Sequence, residues 1–195
     1  MKRALFLLLD QYADWEGSYL TTVLNQSVEW DVKTISLDKK VKSIGGLSTV
    51  IDYNLNEIEH YDLLVLIGGN SWNIEDLNLY NFINKAFFNK KYIGAICGSV
   101  DYLAKNGFLN TYSHTGNSKY LWNQYQAYTP QRAFVEEQAV KDDNLVTANG
   151  TAAVEFTDLV LKLIDFDSIE NINKTTFINK HGFYGYCNTY GNPYL

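Results

Sequence analysis

Cysteine is scarce in this 195-residue chain. Only Cys97 and Cys187 are present, and no CxxC pair or Cys/His spacing suits a structural zinc site. A disulfide framework is thereby excluded, and each thiol needs its own account. Positive charge is not gathered anywhere either. The formal net charge is −6, without the Lys/Arg clusters that mark a nucleic-acid surface, so a small-molecule or protein partner is expected and nucleic acid is not. No stretch approaches the roughly 20 apolar residues of a membrane span. The opening MKRALFLLLD loses its apolar character at Asp10 with no small-residue cleavage site after it, so it reads as a first strand rather than a signal peptide. These absences lead to the expectation of a cytoplasmic protein with no membrane partner. Internal repeats and low-complexity linkers are missing too, so one domain over residues 1–195 is expected, with 46% hydrophobic residues to fill its core.

What is present is a repeated order of apolar run, turn and amphipathic run. Arg3–Asp10, Asp62–Gly69 and Tyr92–Ile96 have the length and continuous apolarity of parallel strands covered on both faces. Between and after them, helices are predicted over 14–27, with Asp14 as N-cap and Leu20, Val23 and Leu24 on one face, and over 74–88, 98–107 and 151–166. A strand is predicted over 29–38, a hairpin around Gly45-Gly46, a short helix over 54–61, an aromatic helix over 118–128 and strands within 132–149. The last 25 or so residues read as one more helix followed by a Tyr/Gly-rich tail. Strands alternating with helices of this length indicate βαβ units with right-handed crossovers. The expected fold is α/β, a three-layer αβα sandwich with a mostly parallel, flavodoxin-like central sheet.

Ligands of such sheets collect at the carboxyl ends of the strands. Three junctions there carry chemistry: YADWEG (12–17), IGGN (67–70) and ICGS (96–99). Cys97 occupies a strand-to-helix turn like a nucleophile elbow, where Gly94 and Gly98 leave room for a tight backbone. A thiol at a helix N-terminus is expected to have a lowered pKa; the plainer account is a buried cysteine acting as a small hydrophobe. The amides of Gly69 and Gly98 are a candidate oxyanion hole, or Gly68-Gly69 is simply a turn. Glu16 either favours the macrodipole of its helix or reaches Cys97 to hold or pass a proton. His114 is either an incidental loop histidine or an acid–base partner. Cys187 is read as structural.

Together YADWEG, LVLIGG, AICGSVDYLAKNGFLN, SHTGN and LVTANGTAAVEF resemble the ThiJ/PfpI family of intracellular protease- and amidase-like proteins, in the class I glutamine amidotransferase-like superfamily, over residues 3 to about 164. The resemblance implies Cys97 as nucleophile, Glu16 as the carboxylate bonded to it, His114 as a nearby polar partner, a homodimer or higher oligomer, and no metal or organic cofactor. Two departures are visible. Gly98 stands where the protease-like members place a histidine after the cysteine, which argues against peptidase activity. Ala153 stands two residues before Glu155, where glutaminases place the histidine of their triad. The expectation is a cysteine-nucleophile enzyme acting on an amide or a reactive carbonyl of a small molecule or peptide, hydrolase- or glyoxalase-like. The alternative is a cysteine redox sensor or stress protein without turnover.

Overall fold

The first strand is apolar along its length because both its faces are covered. In the computed structural model, which describes residues 1–58 and 60–195, β1 (Lys2–Leu7) sends Leu5 and Leu7 into one apolar layer with Leu64, Leu66 and Ile93. Ala4 and Phe6 enter the other, with Leu63, Val65 and Phe156. The period-two alternation of a strand therefore leaves no polar position where neither face meets water. The remaining strands are β2 (Trp30–Ser36), β3 (Lys40–Lys42), β4 (Ser48–Val50), β5 (Tyr53–Asn54), β6 (Leu63–Leu66), β7 (Tyr92–Ile96), β8 (Ala139–Asp142) and β9 (Leu145–Ala148). The helices are α1 (Asp14–Gln26), α2 (Leu77–Phe88), α3 (Gly98–Lys105), α4 (Ala153–Leu163) and α5 (Ile169–Tyr190).

A seven-stranded sheet runs in the order β5-β2-β1-β6-β7-β9-β8. Every pairing in it is parallel except β8 with β9. Helices α2 and α3 cover one face through Leu79, Ile83, Val100 and Leu103; α1 and α4 cover the other through Leu20, Leu24, Phe156 and Val160. The fold is the mostly parallel, flavodoxin-like α/β sandwich expected. The chain builds outward from β1 to β2 and β5, then returns to place β6 on the opposite side of β1. The crevice beyond the carboxyl ends of β1 and β6 is thus a topological switch point, the place where open α/β sheets bind ligands. All three chemistry-bearing junctions open toward this end.

Several local expectations are corrected. The first strand stops at Leu7. In place of the helix expected over 54–61, β5 ends at Asn54 and a turn follows over 55–57; Glu59 lies outside the described residues. Leu55, Ile58 and Tyr61 are buried at spacings of three, which imitates a helical face, but Asn54 is held by a bond from its Nδ2 to the Leu37 carbonyl and its amide donates to the Glu57 carboxylate. The aromatic stretch 118–128 makes only a short 3₁₀ turn at Lys119–Trp122. Its backbone bonds run from Tyr125 to Trp122 and from Tyr128 to Tyr125, a three-residue repeat that sets the aromatics facing inward. Asp14 is not the cap of α1; Ala13 is, and the Asp14 carboxylate instead accepts the Gly45 amide at 2.8 Å and ties the β3–β4 hairpin to the helix. The C-terminal residues read as a tail are helical through Tyr190. Gly182, at φ 77°, ψ 167°, breaks α5 so that the chain reverses and the Tyr190 ring meets Phe177 edge-on, 5.2 Å between centroids.

Candidate active site

Cys97 is the residue at which β7 turns into α3, with φ 61° and ψ −127°. A side chain in that region carries strain of order 1–3 kcal/mol, kept only where the surroundings impose it. They do so here. The Cys97 amide donates to the Ala148 carbonyl at the end of β9 (3.0 Å), and its own carbonyl accepts the Val100 amide (2.9 Å). Beneath the turn, the buried Ser99 hydroxyl contacts the carbonyls of Leu66 and Ile96 at 2.8 Å and accepts the Ile96 amide at 3.0 Å. Glycines crowd the thiol: a Cβ on Gly68 would stand 2.6 Å from the Cys97 Cβ, and one on Gly150 would stand 2.8 Å from Sγ.

Glu16 arrives from the first turn of α1 and is fully buried. Its Oε2 accepts the Gly68 amide at 2.7 Å. Oε1 has no conventional hydrogen-bond partner among the described residues and faces the Cys97 sulfur; both lie within 3.2 Å of the point a Gly150 Cβ would occupy. Burial raises the Glu16 carboxyl to about 7, against the pull of the Cys97 and Gly68 hydrogen bonds. The thiol is not acidified as the helix position alone suggested. Burial pushes Cys97 up, the Glu16 charge adds to this, and the Asn117 side-chain amide and the Gly98 N–H pull against it. Each charge opposes the other, so a proton on Glu16 eases ionisation of the Cys97 thiol.

His114 does not join them. Its Nδ1 lies 2.6 Å from the Tyr112 carbonyl, so it carries the proton, and Nε2, 2.8 Å from the Tyr128 hydroxyl, accepts from it. The ring is buried against Trp122 and Phe134, and burial holds its pKa below the ordinary value. Both ring nitrogens are thus engaged by residues of the surrounding loop, and neither is hydrogen-bonded to Cys97 or Glu16. Three residues on, Asn117 reaches the thiol, its Nδ2 donating to Sγ at 3.3 Å.

The DJ-1/PfpI family model matches residues 2–163. The chain belongs to the DJ-1/PfpI family. It is 56% identical over 196 residues to the uncharacterized protease YdeA of Bacillus subtilis, with both chains covered in full. It is 34% identical over 181 residues to the uncharacterized protease YoaZ of the same organism, covering 86% of each. Among solved structures, the thiJ/pfpI family protein from Bacillus anthracis superposes with a TM-score of 0.87 at 30% identity, covering 98% of both chains.

Within this DJ-1/PfpI site, sequence reasoning missed Asn117, Ser99, Trp15 and Gly150. All four sit in or beside motifs it singled out, yet nothing in their local spacing says which side chain faces the sulfur. The two candidate oxyanion-hole glycines are neighbours in space. A Cβ on Gly98 would stand 2.7 Å from the Gly69 carbonyl, and the bridge joining Gly69 to Tyr12 uses the Gly68 carbonyl and the Asn70 amide rather than Gly69's own N–H. Gly69 and Gly98 line a cleft of about 310 Å³ with Trp72, Asp101 and Tyr125. Asn117 opens on a second cleft of about 560 Å³ with Ser118, Gln138 and Asn149. A third, of about 520 Å³, lies between α4 and α5 and shares Gln138 with the second but holds neither Asn117 nor the glycines; its Lys162 and Lys180 are paired with Asp158 and Glu155. Among the described residues, no cluster of three or more His, Cys, Asp or Glu could hold a metal ion, and no helix is long and apolar enough to cross a membrane.

Proposed function

We propose that the chain is a cysteine-nucleophile enzyme acting on an amide or a reactive carbonyl. The observation that carries this reading is the strained φ of Cys97, which holds the sulfur against the protonatable carboxyl of Glu16. In the reaction, the Cys97 thiolate adds to the carbonyl carbon and the carbonyl oxygen takes the electron pair. The amides of Gly69 and Gly98 are the candidate donors to that oxyanion. With an amide substrate, the carbon–nitrogen bond breaks, the amine leaves with the proton held on Glu16, and water hydrolyses the thioester. With a 2-oxoaldehyde, the first adduct is a hemithioacetal; Glu16 moves a proton from its carbon to the neighbouring carbonyl, giving the thioester of a 2-hydroxy acid, which water hydrolyses to the acid and the free thiol. The names of the Bacillus subtilis relatives favour the amide branch; Gly98, in place of a histidine, favours the carbonyl branch. Conversion of methylglyoxal to lactate, assayed beside cleavage of peptide and simple amide substrates, separates the branches. Inactivity in both overturns the enzyme reading.

One feature favours a second reading, oxidation sensing. Cys97 is partly exposed, and a carboxyl that keeps its proton to about 7 is suited to donate to a sulfinate oxygen. Peptide mapping after peroxide treatment tests it. Oxygen must add at Cys97 in preference to Cys187.

A further inference from the structure

The buried carboxyl approaches Cys97 from the core side. On the exposed side, three groups meet in a line that the mechanism above does not use. The Trp15 indole N–H donates to the Gly150 carbonyl at 2.9 Å, across 135 residues of sequence. The Gly150 amide donates to Asn117 Oδ1 at 2.9 Å. Asn117 Nδ2 donates to Cys97 Sγ at 3.3 Å. We propose that Asn117 stabilises the reacting sulfur and that Trp15 and Gly150 form a latch that fixes its amide with the donor end toward Sγ. This deepens the nucleophile reading and rests on it.

The chemistry of each link allows little else. An asparagine side chain has one acceptor end and one donor end, and flipping it exchanges them. A backbone N–H can only donate, so once Gly150 N–H meets the amide, the oxygen must face Gly150 and the NH₂ must face the thiol. Flipped, the NH₂ would oppose the Gly150 N–H, and the oxygen, an acceptor, would oppose the electron-rich sulfur. Asn117 is exposed and Trp15 is 49% exposed, so burial alone does not hold this chain of bonds. The hydrogen bonds must do it. Gly150 is close enough to the sulfur that a Cβ there would stand 2.8 Å from Sγ. Residue 150 therefore carries its backbone donor to this spot only as glycine, and its carbonyl, pointing the other way, is the handle that Trp15 grips. Trp15 precedes Glu16 in the first turn of α1. One helix end thus serves both sides of the sulfur: Glu16 from beneath, and Trp15 through Gly150 and Asn117 from above.

A donor aimed at a thiolate favours it over the thiol, and hydrogen bonds to charged groups exceed neutral ones in strength. The test is the pH titration of Cys97 thiolate absorbance in a Cys187→Ser background, which reads ionisation without reference to any substrate. Asn117→Ala is expected to move the midpoint upward, lowering the thiolate at neutral pH roughly tenfold. Asn117→Asp, which keeps the shape but puts an acceptor and a charge against the sulfur, is expected to move it at least as far. Trp15→Phe, which keeps an aromatic ring and loses only the N–H, is expected to move it in the same direction by roughly two- to threefold. Far-ultraviolet circular dichroism identifies any variant that has failed to fold, and Trp15→Phe is the mildest of the three. An unchanged midpoint in the folded Asn117 variants overturns the proposal, and so does a shift in those variants with none in Trp15→Phe, because the latch would then be absent. If the shifts occur while wild type turns over no amide or aldehyde, the enzyme reading fails and the latch stands.

Discussion

The two cysteines occupy opposite kinds of surroundings. Both are half-buried. Cys97 sits at a strained turn between two central elements, met by a carboxyl, a side-chain amide and glycine backbone on every side. Cys187 lies inside the second segment of α5, past the Gly182 break, where its carbonyl accepts the Gly191 amide in ordinary helical capping. Equal residue type and similar exposure therefore do not make equal thiols. What differs is whether other parts of the chain have delivered donors, acceptors and strain to the sulfur.

The comparison breaks most visibly if the wrong cysteine matters. Cys97→Ser is expected to reduce any amide- or aldehyde-converting activity about a thousandfold or more, and Cys187→Ser to leave it within about twofold. Steady-state rates of the two variants decide this, and a loss that follows Cys187 would overturn the assignment of the site.

A second effect concerns the cost of burying Glu16 beside Cys97, for which the Cys187 region has no counterpart. The folded protein holds this carboxyl at about 7, against an ordinary 4.5, so the native state binds the proton more tightly than the unfolded one. The resulting stabilisation is fully present below pH 4.5 and is lost as pH rises through about 7, a change on the order of 3 kcal/mol. Glu16→Gln does not titrate. Denaturant unfolding at a series of pH values should therefore show wild type losing ground to this variant between pH 4.5 and about 7 and holding level above it. A constant difference across that range would refute the buried, protonated carboxyl.

The smallest effect sharpens the comparison from the other end. Gly182 has φ 77°, and a Cβ there would meet nothing within 4 Å. Gly182→Ala is expected to cost on the order of 1–3 kcal/mol through backbone conformation alone. The alkylation rate of Cys97 should stay unchanged, with Cys187 monitored in the same peptide map. A change at Cys97 would mean that the broken C-terminal helix and the elbow are coupled.

Much of this was legible in the residues themselves. Continuous apolar runs marked β1, β6 and β7 because each must be apolar on both faces. The glycines around Cys97 marked the elbow because only a small neighbour tolerates so tight a turn. Periodicity misled where a spacing of three served something other than an α-helix. Leu55, Ile58 and Tyr61 face the core from a turn, and Trp122, Tyr125 and Tyr128 line up through a 3₁₀ repeat. Polarity misled at the C-terminus, where Tyr and Gly suggested a tail and the glycine instead lets a helix reverse.

The sequence by itself determined the central strands and the helices between them, the family and the candidate pair Cys97 and Glu16, because these rest on local pattern and on motifs that stay contiguous. Only the tertiary structure decided that His114 is engaged by Tyr112 and Tyr128 while Asn117 faces the sulfur, and that burial together with Glu16 raises the thiol's pKa rather than lowering it. It also brought Trp15 against Gly150. The reason is physical: these outcomes depend on contacts between residues as far as 135 positions apart, and side-chain direction, burial and local charge at such contacts are set when layers pack, not by the neighbours in the chain.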